Sequence, residues 1–141
     1  MSKKNAALTI PNFPDCVDIL GKNWRIKIVK KGEDLEFDKE HCEGLCSFHE
    51  RLIRIIDTHC IERYENAPQM LHGNYMKEVL RHEIIHAFLD ESGLCCNSSE
   101  FPGPWSKNEE MVDWFAIQGP KISEAWKKCG CLKDTEEETE K

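Results

Sequence analysis

Nothing in this chain approaches the roughly 20 consecutive apolar residues that a bilayer-spanning helix needs, so no membrane partner is expected. A basic stripe is missing too. The 141 residues carry a formal net charge of −7, and the pairs Lys3-Lys4 and Lys30-Lys31 are too short to offset it, which argues against general nucleic-acid binding. Behind the first lysines there is no apolar core, so the N-terminus does not read as a signal peptide and a cytoplasmic protein is expected. Internal repeats are absent as well. The chain is long enough for one domain and short for two.

What is present in unusual number is cysteine, eight residues in all. Even counts suggest disulfide frameworks in short secreted chains. Without an export signal, reduced and mostly buried thiols are the expectation, and the adjacent Cys95 and Cys96 fit a cross-linked framework poorly. His41-Cys42-x-x-x-Cys46-x-x-His49 offers four zinc-ligand types, with Cys129-Gly130-Cys131 as a possible complement, but lacks the usual two-residue knuckle spacing. Buried thiols are preferred over a structural zinc there. His59-Cys60 could pair a base with a nucleophile, but adjacent strand residues point oppositely.

The pattern of the chain predicts an α+β fold. Residues 1–15 read as a lead-in with Pro11 and Pro14. Trp24, Ile26 and Ile28 alternate with Arg25 and Lys27, which predicts a half-buried strand within Val17 to Val29, interrupted at Gly21-Lys22-Asn23. Lys30 to Glu43 is polar and unassigned. Phe48 to Asp57, centred on Leu52 to Ile56, predicts a second strand. Met76 to Ser92 carries Val79, Leu80, Ile84, Ile85, Phe88 and Leu89 at helical spacing, with Gly93 as its C-terminal cap. Leu94 to Trp105 should be loop. A second helix is expected over Lys107 to Gln118, broken by Gly119-Pro120, and a short third one around Ile122, Ala125 and Trp126. One domain over residues 1–132 and a disordered acidic tail over 133–141 complete the expectation.

His82-Glu83-Ile84-Ile85-His86 carries the chemistry. In H-E-x-x-H on a helix, four residues is just over one turn, so both imidazoles leave the same face and can bind one metal. Glu83 lies about 100° round the helix, placed to reach a water without ligating the ion. Such a site predicts one Zn2+ held by His82 and His86, with Glu83 as general base on a zinc-bound water. Two histidines one turn apart could also meet by chance, but the motif falls inside an amphipathic helix rather than a loop. A catalytic zinc needs a third protein ligand. Glu109 is the candidate, with Glu110 and Asp113 as alternatives; Glu109 and Asp113 stand one turn apart, so one could ligate while the other supports a histidine. The competing role for Glu109 is a capping box with Ser106.

H-E-x-x-H followed by Asn108-Glu109-x-x-x-Asp113 resembles the gluzincin metallopeptidases, and the small size with Val112-Asp113-Trp114-Phe115-Ala116 is similar to the short ImmA/IrrE-type peptidases of phages and mobile elements. The resemblance spans about Leu80 to Pro120. It departs from the family at Val112-Asp113, where Ala-Asn is frequent. It implies a zincin-like sheet packed on a motif helix and a second ligand-bearing helix, with Cys46 to Asp57 as the edge strand of a substrate cleft. It also implies hydrolysis of a peptide bond in a cytosolic protein, with an oxyanion donor among His59, His72, Tyr64 and Tyr75. The alternative is a phage-type binding protein that keeps the scaffold without turnover.

Overall fold

The computed structural model describes residues 10–40, 42–93 and 109–136, and gives the backbone alone at 109, 112 and 116. Four strands form one mixed sheet. Strand β1 (Cys16–Ile19) turns through Leu20 and Gly21, both at positive φ, into β2 (Lys22–Val29). A two-residue turn of that hand matches the twist of an antiparallel hairpin. After a short helix α1 (Leu35–Lys39), capped by the Asp34 carboxylate on Phe37 N–H, come β3 (Gly44–Ser47) and β4 (Leu52–Ile56). The sheet order is β1-β2-β4-β3; β2 and β4 run parallel, and the two flanking pairings are antiparallel.

The alternation read from Trp24 to Ile28 is therefore a strand, and its interruption is the hairpin turn. The edge assignment is corrected. Leu52 to Ile56 lies inside the sheet, and the free edge is Gly44–Ser47, in register with β4 through Cys46 opposite Ile53. Four residues with no clean alternation are too short to announce a strand; β4 imposes it.

Helix α2 (Gln69–Glu91) lies across the sheet. His72, Met76, Leu80, Glu83, Ile84, Ala87 and Phe88 are its buried residues, a stripe at helical spacing. Leu80 and Ile84 are fully buried against Ile53 and Ile55 of β4 and Trp24 of β2, each stabilising by roughly 1.5–3 kcal/mol. Trp24 donates its indole N–H to Glu91 at 2.9 Å, which ties the helix end to the sheet. The helix stops at Gly93, whose φ of +82° suits the left-handed cap.

Helix α3 (Glu109–Lys128) is continuous through Pro120, so the two-helix expectation is overturned. Proline forfeits one backbone bond and costs about 3 kcal/mol in a helix interior. Burial of Ile122, Ala125 and Cys129 in the core holds the second half in line, and Trp114 N–H to Ser92 Oγ at 3.1 Å anchors the first half. Part of the expected tail is docked rather than loose: Arg81 pairs with Asp134, and Asn74 exchanges hydrogen bonds with Thr135. Among the described residues no helix is long and apolar enough to cross a membrane. The expected loop 94–105, the Ser106 cap, and residues 137–141 lie outside the described residues.

Candidate metal centre

Just beyond the middle of α2 (Gln69–Glu91), core-facing and surface-facing residues alternate round the helix. Ile84 and Ala87 point into the core, whereas His82 and His86 are exposed. Their Nε2 atoms face one another at 3.1 Å, with the rings edge to face. Two imidazoles on one tetrahedral zinc, each about 2.0–2.1 Å from it, place their nitrogens about 3.3 Å apart. The pair is thus spaced for one ion between the two Nε2 atoms. Burial lowers the His86 pKa, the neighbouring His82 lowers it further, and Asp90 opposes both.

Between the two histidines in sequence, Glu83 turns inward. It is 6 % exposed and lines the cleft between the helix and the edge strand. Burial, reinforced by the Asp90 charge, pushes its carboxyl up to about 7. A carboxylate in that state is expensive to keep buried and well matched to proton transfer at neutral pH.

Glu83 rests against the edge strand at a position where only glycine fits. A Cβ on Gly44 would stand 2.6 Å from Glu83 Oε1, 2.8 Å from its Cγ and 2.8 Å from Val79 Cγ1. This contact pinches a cleft between β3 and α2 into two cavities. One, of about 310 Å3, takes in Gly44, Tyr75, Glu78, His82 and Glu83. The other, of about 400 Å3, takes in Gly44, Cys46, His82, Glu83, His86 and Asp90. A larger cavity of about 600 Å3 lies between the β1–β2 turn and α3, lined by no histidine or cysteine; the chemistry-bearing side chains gather in the smaller two.

Of the four candidate oxyanion donors, Tyr75 alone lines either half of this cleft. His59 and His72 stack on each other at 4.1 Å, His59 held by Asp57 and Gln69 and His72 by the Thr58 hydroxyl. Tyr64 packs on the outer side of Tyr75.

Glu110 and Asp113 are exposed on α3, and neither joins the histidine pair, since no three His, Cys, Asp or Glu side chains among the described residues gather closely enough for a metal. Glu109 opens α3, and its side chain lies outside the described residues. The structural-zinc set is not assembled either: Cys42 and Cys46 stand on either side of Gly44, His49 is exposed, Cys129 and Cys131 are buried, and His41 is outside the described residues. Burial raises the Cys129 and Cys131 thiols to about 11 and about 12.

The sequence reading does not pick out Asp90 or Gly44, and takes Cys46 only as a candidate structural-zinc ligand and as the start of the edge strand. Asp90 stands one further turn beyond His86, and extending the i, i+4 spacing would have found it. Cys46, whose thiol donates to Asp90 at 3.6 Å, and Gly44 are placed by strand pairing, for which the local sequence carries no signal. Compared with models of known protein families, with curated proteins and with solved structures, the chain matches none.

Proposed function

We propose that this chain is a zinc-dependent metallopeptidase of zincin-like build, cutting a peptide bond in a cytosolic protein. The observation that carries the reading is the convergence of the two exposed Nε2 atoms at 3.1 Å beside a buried glutamate whose carboxyl is raised to about 7. His82 and His86 would hold the ion, and Glu109 at the start of α3 is the proposed third ligand. Zinc held there supplies Lewis acidity, bringing the pKa of water from 15.7 to about 7 and polarising a carbonyl.

The chain's own groups divide the rest of the work. The free edge of β3 offers unpaired backbone groups to an extended peptide, which would add as a fifth strand along the cleft. Gly44 allows that strand to approach Glu83 without a side chain between them. Glu83, poised near neutrality, takes a proton from the attacking water and returns it to the leaving amine. Tyr75 presents a phenol to the same cavity and is the proposed donor to the developing oxyanion. The likeness to ImmA/IrrE-type peptidases supports this division of roles. A purely structural metal site has no use for a buried carboxylate such as Glu83, which weighs against a binding protein that merely keeps the scaffold.

Elemental analysis of the native chain beside His86→Ala tests the reading. About one equivalent of zinc, lost in the variant, is expected. Zinc retained by the variant would move the metal to the cysteines, and no metal in either, even after zinc is added, would end the proposal.

A further inference from the structure

Beyond Tyr75 the cleft borders a further recess of about 220 Å3, lined by Thr58, Tyr64, Ala67, Leu71, His72 and Tyr75. Tyr75 also lines the half of the cleft that holds His82 and Glu83, so one side chain is a wall of both spaces. The lining is chiefly apolar, and the polar groups at its floor are already spent. The Thr58 hydroxyl, 1 % exposed, shares a hydrogen bond with His72 Nδ1 at 2.8 Å, and His72 also bonds the Tyr64 carbonyl. A floor whose polar groups satisfy one another offers no partner to a charged or hydrogen-bonding occupant, and leaves burial of apolar surface as the gain. Leu71, at the mouth, is 49 % exposed. Single exposed leucines are ordinary, but this one stands where an apolar occupant would cover it. The volume falls below the roughly 300–1,000 Å3 of pockets that enclose a whole small ligand, and suits one side chain of a longer molecule.

We propose that this recess anchors one large apolar side chain of the bound peptide, of leucine or phenylalanine type, about five residues from the scissile bond. The proposal rests on the peptidase reading and adds a substrate requirement to it. The spacing follows from α2, which lines both sites. Leu71 and His72 precede His82 by 11 and 10 positions, which at about 1.5 Å per residue is roughly 15–17 Å along the helix. An extended peptide covers that length in about five residues, at about 3.3 Å each. The path is set by the edge strand. Gly44 lies against Val79 and Glu83 while Cys46 meets Asp90, so the Gly44 end of β3 is the one directed toward Tyr75. A peptide added along β3 therefore leaves the sheet at Gly44 and passes Tyr75 to reach the recess. An anchor so far from the reacting bond binds substrate and transition state alike, and acts on KM rather than on kcat.

A library of random peptides long enough to span both sites would be digested with the zinc-loaded full chain, and the cleavage sites read by mass spectrometry. The same library would be selected for binding to zinc-loaded Glu83→Gln. Expected in both is an enrichment of Leu, Ile, Met and Phe of about tenfold at one position about five residues from the cut, on one side only. Replacing that residue by Ser in a single cleaved peptide should raise KM by about tenfold and leave kcat nearly unchanged. Ala67→Trp, which fills the recess, should erase the enrichment. Leu71→Gln changes only the exposed mouth and should weaken it, which keeps the test alive if the tryptophan variant does not fold. Leu35→Gln, at an exposed leucine outside the recess, should leave it intact. Cleavage with no apolar preference at that distance, or with one that survives both recess variants, would overturn the anchor and leave the peptidase standing. An apolar preference in binding that the recess variants abolish, with no cleavage by the native chain, would keep the recess and remove the enzyme. A library neither bound nor cut would end both.

Discussion

Helix α2 carries two polar clusters on one helix, and they are built on opposite terms. Near its N-terminal end, His72 is 4 % exposed, yet its Nδ1 shares a hydrogen bond with Thr58 Oγ1 at 2.8 Å while the ring stacks on His59. His59 in turn holds Asp57 at 2.6 Å and Gln69 at 3.1 Å. Three turns on, Glu83 is nearly as deeply buried, its carboxyl raised by burial and by Asp90, and the two histidines beside it face each other at 3.1 Å on the exposed side of the helix, with Asp90 acting on His86. The first cluster fastens the turn after β4 to α2. The second is left open at the cleft, with two exposed imidazoles beside a carboxyl of raised pKa, and a bound ligand would complete it.

The largest effect should come from closing that incompleteness. Glu83→Gln is expected to lower peptide hydrolysis by about 10²–10⁴-fold, the usual worth of a general base, with zinc content kept. The same change should stabilise the metal-free chain. Glu83 has its pKa raised from 4.5 to about 7, so the folded state holds its proton more tightly than the unfolded one, and stability falls as pH rises across that window. At pH 8 the full cost is present. Removing the charge should recover on the order of 1–2 kcal/mol, less than the full pKa shift implies because burying an amide is costly as well. Urea midpoints read this directly. A variant no more stable than the native chain at pH 8 would mean that burial leaves Glu83 undisturbed and the contrast between the clusters is false.

Gly44→Ala sharpens the same contrast from the other wall. The new methyl must push Glu83 or Val79 aside, at about 1–3 kcal/mol of overpacking. Hydrolysis should fall by about tenfold or more, since a base displaced by an ångström loses much of its effect, while zinc stays bound. Combined with Glu83→Ala, the stability loss should be less than the sum of the two single losses, because the clash has lost its partner. Simple additivity would show that the strand edge does not position Glu83.

How far the sequence reveals this contrast depends on range. The motif and the helix bearing it are local properties, and the 3.6-residue period from Met76 to Phe88 carries both. The start of α2 at Gln69, seven residues earlier than the period predicts, is not local: Gln69 to Tyr75 is mostly polar outside Met70 and Leu71, and its fastening comes from Thr58 and His59 across the chain. Strand β3 is invisible for the same reason, and with it Gly44 and Cys46. Pro120 misleads in the other direction, since a local helix breaker is overruled by the core packing of Ile122 and Ala125. The histidines and the base are thus written in one helical turn, whereas the walls of the cleft are written in contacts between distant segments.

The two clusters should also answer to pH with opposite signs, and this is the smallest effect and the one that separates them most cleanly. Burial lowers the His72 pKa below its usual 6.5, and the stacked His59 lowers it further, against smaller opposing pulls from Asp57 and the Tyr64 carbonyl. The unfolded chain therefore takes up the proton first. Stability from this site is complete above about pH 6.5 and is lost as pH falls below it. Glu83 does the reverse, giving stability that drains away as pH rises from about 4.5 toward 7. Between pH 5 and 7 the two slopes oppose each other, so the native metal-free chain should show a shallow dependence there. In Glu83→Gln the combined slope of His72 and His86, whose pKa is also lowered, should emerge, with urea midpoints rising as pH is raised through this range. In His72→Gln the Glu83 slope should emerge with the opposite sign. Parallel profiles in the two variants would mean that both residues titrate as ordinary solvated groups, and the division of α2 into a satisfied end and an open middle would have no energetic basis.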